Sequence, residues 1–146
     1  MKNNKLKEVE SSVLKVYRTT NPSTYHIENS QEEFETVTSF MENLLFKKLK
    51  FPSKMFNEAT LLDFGTGTGE YSLHYLLNGA KCTFVEMNSL ASERADMIFK
   101  KYAPDPNRYN IIKKSLFDFE SDSKFDIVAS LGVIHHTQNK ERAFRH

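Results

Sequence analysis

A glycine-rich segment follows a short apolar run near the middle of the chain. Asp63 comes two residues before Gly65, and Gly65, Gly67 and Gly69 stand at alternate positions. Glycine allows the backbone to turn sharply and to approach a ligand without a side-chain clash. Unpaired N–H groups at the start of the next helix bind polar or anionic groups. The segment therefore predicts a ligand-binding turn between a strand and a helix.

A second acid stands where a nucleoside ligand would need one. Glu86 ends the next predicted strand, 21 residues after Gly65, and Met87 follows it. A carboxylate at this place can accept two hydrogen bonds from a ribose diol, and methionine is a soft apolar residue that can pack on a base. These residues indicate a nucleoside-containing ligand. The alternatives are a solvated acid at a strand end and a methionine of the core.

The glycine spacing distinguishes two ligand classes. Dinucleotide-binding turns have the pattern Gly-x-Gly-x-x-Gly, whereas here the third glycine comes one residue early and Glu70 occupies its place. A carboxylate in a first helical turn suits the helix dipole but not a neighbouring pyrophosphate. The spacing thus disfavours a nicotinamide-dependent oxidoreductase, which stays an alternative beside a turn that only connects a strand to a helix.

Four ordered motifs carry a resemblance to a known family, and they include the acid Glu86 and the residues after the third strand. Residues 61–70 resemble motif I of the class I S-adenosylmethionine-dependent methyltransferases, acid-x-Gly-x-Gly-x-Gly, and match it at all four positions. Residues 125–136 are similar to the fourth strand and following loop of small-molecule methyltransferases. The resemblance extends over residues 58–146. It implies S-adenosylmethionine as the cofactor and methyl transfer to a small-molecule acceptor. A nonenzymatic or incomplete S-adenosylmethionine-binding domain is the alternative.

The resemblance also implies which residues bind the cofactor. They are Asp63, Gly65, Thr66, Gly67, Gly69, Glu86, Met87, Ser115, Leu116, Ser130 and Leu131. Asp63 would orient the glycine turn and, directly or through water, the methionine amino group. Backbone groups of Ser130 and Leu131 would face the methionine end of the cofactor.

The residues expected at the adenine end depart from the family pattern. Typical members carry an aspartate after the third strand, and Ser115 stands in that place here. A serine hydroxyl accepts a hydrogen bond from the adenine amino group less strongly than a carboxylate does. The N–H group of Leu116 can still bind an adenine ring nitrogen. Asp118, three residues after Ser115, is the alternative acceptor, and the sequence leaves both open.

Methyl transfer requires no universal catalytic side chain, because the sulfonium already activates the methyl group. The enzyme mainly aligns the acceptor and excludes water. The candidates for a catalytic role are His135, His136 and Tyr25, and histidine can act as a general base near neutral pH. Two adjacent histidines rarely point the same way, and no acid or third histidine has ligand spacing, so we predict no metal site.

The elements around these residues alternate between strands and helices. Apolar runs predict strands over 60–64, 81–86, 109–113 and 125–131. Periodic patterns predict helices over 31–50, 70–78, 89–102 and 139–146, with an irregular helical stripe in 1–20. This alternation predicts an α/β fold, a Rossmann-like three-layer αβα sandwich with a mainly parallel sheet. The fourth strand is nearly all apolar, which predicts burial on both faces.

The predicted elements divide the chain into two parts. Residues 1–54 form an N-terminal helical extension or lid in front of the sheet, and residues 55–146 form the S-adenosylmethionine-binding domain. The sequence shows four strands, whereas the resemblance implies seven. We therefore expect a C-terminally truncated domain. A bare sheet edge favours self-association or a partner chain.

The composition excludes several function classes. Twenty Lys and Arg residues against 19 Asp and Glu residues give a formal net charge of +1, which argues against a nonspecific nucleic-acid or membrane-surface binder. No apolar run is long enough to span a bilayer. A single cysteine, Cys82, excludes an internal disulfide framework. We expect a cytoplasmic protein with neither a nucleic-acid nor a membrane partner.

Overall fold

The computed structural model describes residues 2–19, 25–137 and 139–145. Its helices are α1 (Lys2–Thr19), α2 (Gln31–Glu42), α3 (Leu73–Leu77), α4 (Ser89–Tyr102) and α5 (Lys140–Arg145). Its strands are β1 (Thr60–Phe64), β2 (Lys81–Val85), β3 (Tyr109–Ile112) and β4 (Ile127–Ala129). A π-helical segment, Asn43–Lys48, continues α2, and 3-10 turns cover Pro106–Arg108, Leu116–Asp118 and Ile134–His136.

The four strands form one parallel sheet in the order β3-β2-β1-β4. In β1, Leu61 lies opposite Cys82 of β2 and Ile127 of β4. Because the strands run the same way, their carboxyl ends and the loops that follow meet at one edge. Ligands bind at this edge in open α/β sheets. The predicted α/β class with a parallel sheet is confirmed.

The main core packs α2, α3 and α4 against one face of the sheet. Its buried members include Met41, Leu61, Leu73, Phe84 and Phe99. The rings of Phe84 and Phe99 lie 4.7 Å apart between β2 and α4. Successive strand residues point to opposite faces, and the other face carries a smaller cluster. That cluster consists of Leu62, Phe64, Val85 and Phe119.

Strand β4 differs from its prediction. Ile127 and Ala129 pack against the main core, but Val128 between them is 64% exposed. The reason is that β4 ends the sheet within the described residues, so its outer face has little cover. The predicted burial of this strand on both faces is therefore wrong. The strand is also shorter than the apolar run that indicated it.

The helices also differ from their predicted bounds. The irregular stripe in residues 1–20 forms an 18-residue helix, α1. The helix that starts at Gln31 is α-helical only to Glu42, and the wider π-helical turn follows it. Helix α3 begins at Leu73 because turns occupy residues 67–72. Within the described parts of the chain, no helix has both the length and the apolarity needed to cross a membrane.

Candidate cofactor-binding site

A cavity of about 330 Å³ lies at the carboxyl ends of the strands. The glycine turn, the loops after β2, β3 and β4, and one side of α1 line it. Small-molecule pockets in proteins have volumes of roughly 300–1,000 Å³. The cavity therefore has the size of a small-ligand site, and α1 covers part of it.

Close packing fixes the glycine turn on two sides. Gly65 has φ +76°, and a Cβ there would lie 2.2 Å from Cγ2 of Val133. Gly69 has φ +89°, and a Cβ there would lie 2.8 Å from Cβ of Ala95 on α4. Both places combine a left-handed backbone with no room for a side chain, so both need glycine. Gly67 lies between them, and no atom lies within 4 Å of the place that a Cβ would take there.

Backbone N–H groups hold the Glu86 carboxylate in place. The N–H of Gly67 donates to Oε2 at 2.9 Å, and the N–H of Asn88 donates to Oε1 at 2.8 Å. Burial raises the pKa of Glu86, while the backbone N–H groups of Asn88, Gly67 and Met87 act in the opposite direction. An ionised carboxylate offers about four acceptor positions. These N–H groups use part of that capacity, and the rest is left for a ligand that carries a hydroxyl group.

Asp63 lies beneath the turn and is 3% exposed. The Ser72 hydroxyl donates to its Oδ2 at 2.5 Å, which ties the end of β1 to the residue before α3. Burial raises the pKa of Asp63 from 3.8 to about 6, although the Ser72 bond acts to lower it. From this position Asp63 supports the turn from behind, and its predicted contact with the cofactor stays a prediction.

Arg94 on α4 joins the glycine turn to the segment before α2. Its guanidinium group lies 3.1 Å from Oε1 of Glu70 and 3.1 Å from Oε2 of Glu28, and it donates to the carbonyl oxygen of Tyr25. Burial acts to raise the pKa of Glu28, but the bonds from Arg94 hold it below its usual value. Sequence reasoning related Glu70 to the helix dipole and missed Arg94, because these partners are far apart in the sequence.

Helix α1 contacts the loops that follow three strands. In the loop after β3, the Ser115 hydroxyl donates to the Glu10 carboxylate of α1. In the loop after β2, the Asn88 side-chain amide donates to the Tyr17 carbonyl oxygen at 3.4 Å. In the loop after β4, Nε2 of His136 lies 3.1 Å from the Tyr17 hydroxyl. Sequence reasoning missed Glu10 and Tyr17 as site residues, although their spacing of seven places them on one helix face.

The predicted cofactor-binding residues fall into two groups. Those that line the cavity are Gly65, Thr66, Gly67, Glu86, Met87, Ser115, Leu116 and Leu131. Those that lie outside its lining are Asp63, Gly69 and Ser130. The Ser130 hydroxyl donates to the carbonyl oxygen of Phe64 at 3.4 Å. Asp118 is exposed in its 3-10 turn, so the structure brings Ser115, and not Asp118, to the cavity.

The structure separates the candidates for a catalytic role. Tyr25 and His136 line the cavity, whereas His135 lies beside it with its ring 3.9 Å from the His136 ring. Across residues 2–19, 25–137 and 139–145, no three His, Cys, Asp or Glu side chains come together as metal ligands would. Of the paired histidines, His136 is the one that lines the cavity.

A family comparison agrees with this geometry. Residues 37–146 match a family model described as a methyltransferase domain, which is more than half of the chain. The chain belongs to this methyltransferase family. The class I family that motif I indicated is confirmed, and so is S-adenosylmethionine as the cofactor of that family. A comparison with curated proteins found no match.

Solved methyltransferase structures share the fold of this family member. Magnesium protoporphyrin IX methyltransferase from Synechocystis PCC 6803, with bound SAM, has a TM-score of 0.55 and 20% identity over 75% of this chain and 49% of its own. Trypanosoma brucei PRMT1, an enzyme-prozyme complex with AdoHcy, has a TM-score of 0.53 and 22% identity over 73% of this chain and 32% of its own. A putative RNA methyltransferase from Pyrococcus horikoshii has a TM-score of 0.53 and 21% identity over 73% of this chain and 48% of its own. The chain thus spans less than half the length of each.

Proposed function

We propose that this chain binds S-adenosylmethionine in the cavity and serves methyl transfer to a small-molecule acceptor. The observation that supports this most directly is the Glu86 carboxylate, which backbone N–H groups fix at the cavity while part of its acceptor capacity stays available. This capacity fits a hydroxyl group of a ribose. S-adenosylmethionine, when bound, supplies a methyl group already activated on a sulfonium.

The other residues of the cavity fit the remaining parts of such a ligand. Gly67 lacks a side chain and lies open to the cavity beside Glu86, so a ligand can approach the backbone there. Met87 and Leu116 provide apolar surface on the side of β3, where a purine ring can pack. Polar groups that fix orientation among mostly apolar walls are typical of cofactor sites.

The proposed acceptor is a small molecule because α1 covers part of the cavity. Val9, Val13 and Leu14 of α1 contribute apolar walls, and Tyr25 and His136 belong to the same lining. A neutral imidazole can accept a proton from an acceptor hydroxyl group as the methyl group is transferred. We assign this role to His136 and expect Tyr25 to help position the acceptor. Structures named as a protein arginine methyltransferase and a putative RNA methyltransferase share the fold, so turnover assays must include protein and RNA acceptors.

The open edge of β4 supports a further part of this proposal. Val128 is 64% exposed, and β4 pairs on one side, with β1, within the described residues. An apolar edge strand favours pairing with another chain, so we propose self-association or a partner chain at β4. Sedimentation over a range of protein concentrations tests this, and a monomer at every concentration would contradict self-association. The cytoplasmic location stays a prediction.

Isothermal titration calorimetry with three ligands tests the cofactor. We expect S-adenosylmethionine and S-adenosylhomocysteine to bind and NADH not to bind. Glu86→Gln should weaken binding about 10-fold or more, because hydrogen bonds to a charged group contribute about 1.5–3 kcal/mol. The matched control is Glu93→Gln, an exposed acid paired with Lys113 on the surface, which should change nothing measurable.

The outcomes separate the alternatives. If both adenosyl ligands fail to bind, or if Glu86→Gln and Glu93→Gln behave alike, the proposed site is wrong. If the chain binds NADH instead, the proposed ligand of the cavity is wrong. If it binds S-adenosylmethionine but transfers no methyl group to any acceptor in a panel of small molecules, proteins and RNA, the nonenzymatic alternative is correct.

A further inference from the structure

Three carboxylates line the cavity, and two of them are already engaged by fixed partners. Glu70 is paired with Arg94 at 3.1 Å and accepts from the Thr68 hydroxyl at 2.5 Å. Glu86 accepts from two backbone N–H groups. The third, Glu10, extends from α1 and accepts from the Ser115 hydroxyl. Within the described residues Glu10 belongs to no ion pair, so most of its acceptor positions are open to the cavity.

The position of Glu10 corresponds to one end of an adenosyl ligand. Glu86 stands at the end of β2, and the ribose that it would hold is the middle part of the ligand. On the side of β3, the cavity is lined by Met87, Leu116 and Phe117, which suit a flat ring. The polar groups on this side are Glu10, Lys114 and Ser115, and Glu10 and Ser115 are the hydrogen-bond acceptors among them. A purine on this side would place its exocyclic amino group, which has two donors, near an acceptor of the rim.

We infer that Glu10 of α1 is the group that accepts a hydrogen bond from the adenine amino group, with Ser115 as the residue that positions its carboxylate. The inference depends on the proposed function and assigns a further binding residue to the same site. The Ser115 hydroxyl donates to Glu10 and accepts from the N–H of Phe117 at 3.1 Å, so its orientation is fixed at both ends. A carboxylate is also the stronger acceptor of the two.

This assignment makes α1 part of the cofactor site as well as its cover. The adenine amino group would contact the helix itself, so docking of α1 and binding of the ligand would favour each other. Recognition of the base would also be selective. An acceptor that the ligand covers but does not pair loses its contact with water, which is why a site built around a hydrogen bond rejects analogues that lack the donor.

The test compares two ligands that differ at the amino group alone. S-adenosylhomocysteine carries the amino group, whereas its 6-deamino analogue, in which purine replaces adenine, carries a hydrogen atom there and keeps the unprotonated ring nitrogen N1. By calorimetry, the unchanged chain should prefer the adenosyl ligand by about 10-fold or more. Glu10→Ala removes the acceptor, so it should weaken the adenosyl ligand, leave the deamino ligand nearly unaffected and bring the preference close to one. Glu10→Gln keeps an amide oxygen that accepts less strongly than a carboxylate, so its preference should lie between the two.

Glu8→Gln is the matched control, since Glu8 is an exposed acid on the same helix, and it should keep the full preference. The ratio of the two affinities within one variant is insensitive to a general loss of folding. If Glu10→Ala keeps the preference of the unchanged chain, the inference is wrong while the proposed function stands. If the unchanged chain binds neither ligand, the proposed function fails and the inference fails with it.

Discussion

The buried carboxyl group of Asp63 should make the unfolding free energy depend on pH. Burial raises its pKa from 3.8 to about 6 in the folded chain. Between these values the folded state binds more protons than the unfolded state, so the unfolding free energy falls as pH rises through this window. A difference of this size corresponds to roughly 3 kcal/mol, since one pKa unit is equivalent to about 1.4 kcal/mol.

Asp63→Asn removes this charge and keeps the shape of the side chain, including an oxygen that can accept from Ser72. We expect the variant and the unchanged chain to have similar unfolding free energies near pH 4. Above pH 7 the variant should be more stable, by up to about 3 kcal/mol. Urea unfolding at pH 4, 6 and 8, analysed as the difference between the two proteins, measures this directly.

A surface acid provides the control with the opposite sign. Bonds from the backbone N–H and the hydroxyl of Thr60 hold the pKa of Asp126 below its usual value. Its ionised form therefore favours folding, and this contribution is lost as pH falls through the lowered pKa. Asp126→Asn should cost stability at pH 8 and less at low pH. A destabilised Asp63→Asn at pH 8, or a difference that does not vary with pH, would refute the argument about burial.

Two further predictions concern the packing and charges around the turn. Gly65→Ala should cost about 2–4 kcal/mol of unfolding free energy, because the backbone is left-handed there and the new Cβ clashes with Val133. In Gly67→Ala no atom lies within 4 Å of the new Cβ, so urea unfolding should show only the smaller backbone cost. Equal costs in the two variants would contradict the clash. Arg94→Met should cost about 3 kcal/mol, because it leaves the carboxylate of Glu70, which is 8% exposed, without its cation. Arg94→Lys should cost less by the same measurement, and a loss below 1 kcal/mol for Arg94→Met would show that the pair does not stabilise the fold.

The parts of the fold that were predicted correctly are those with local patterns. Strand β1 and helix α4 have the predicted bounds, since an apolar run and a periodic stripe each end at turn residues. The glycine turn and Glu86 could be located because their chemistry depends on a fixed order along the chain. Motif I also determined the family, which the comparison with known domains confirmed.

The parts that were missed depend on contacts between distant residues. Nothing near Arg94 in the sequence indicates that it pairs with both Glu28 and Glu70. The contact between Glu10 and Ser115 depends on where α1 lies across the sheet. The exposure of Val128 depends on which element covers β4. The apolar residues of a strand do not indicate which other element packs against it.

The close approach of α4 to the glycine turn has a consequence for ligand binding. The Cα of Ala95 lies 2.9 Å, and its Cβ 2.8 Å, from the place that a Cβ on Gly69 would take. No free volume separates the helix from the turn, so a larger side chain at Ala95 must either push α4 outward or lift the turn. Gly67 and its N–H group would move with the turn. Ala95 does not line the cavity, yet its size therefore determines how far the glycine turn extends into the cavity. Variation at Ala95 would change ligand affinity without altering any residue that faces the ligand.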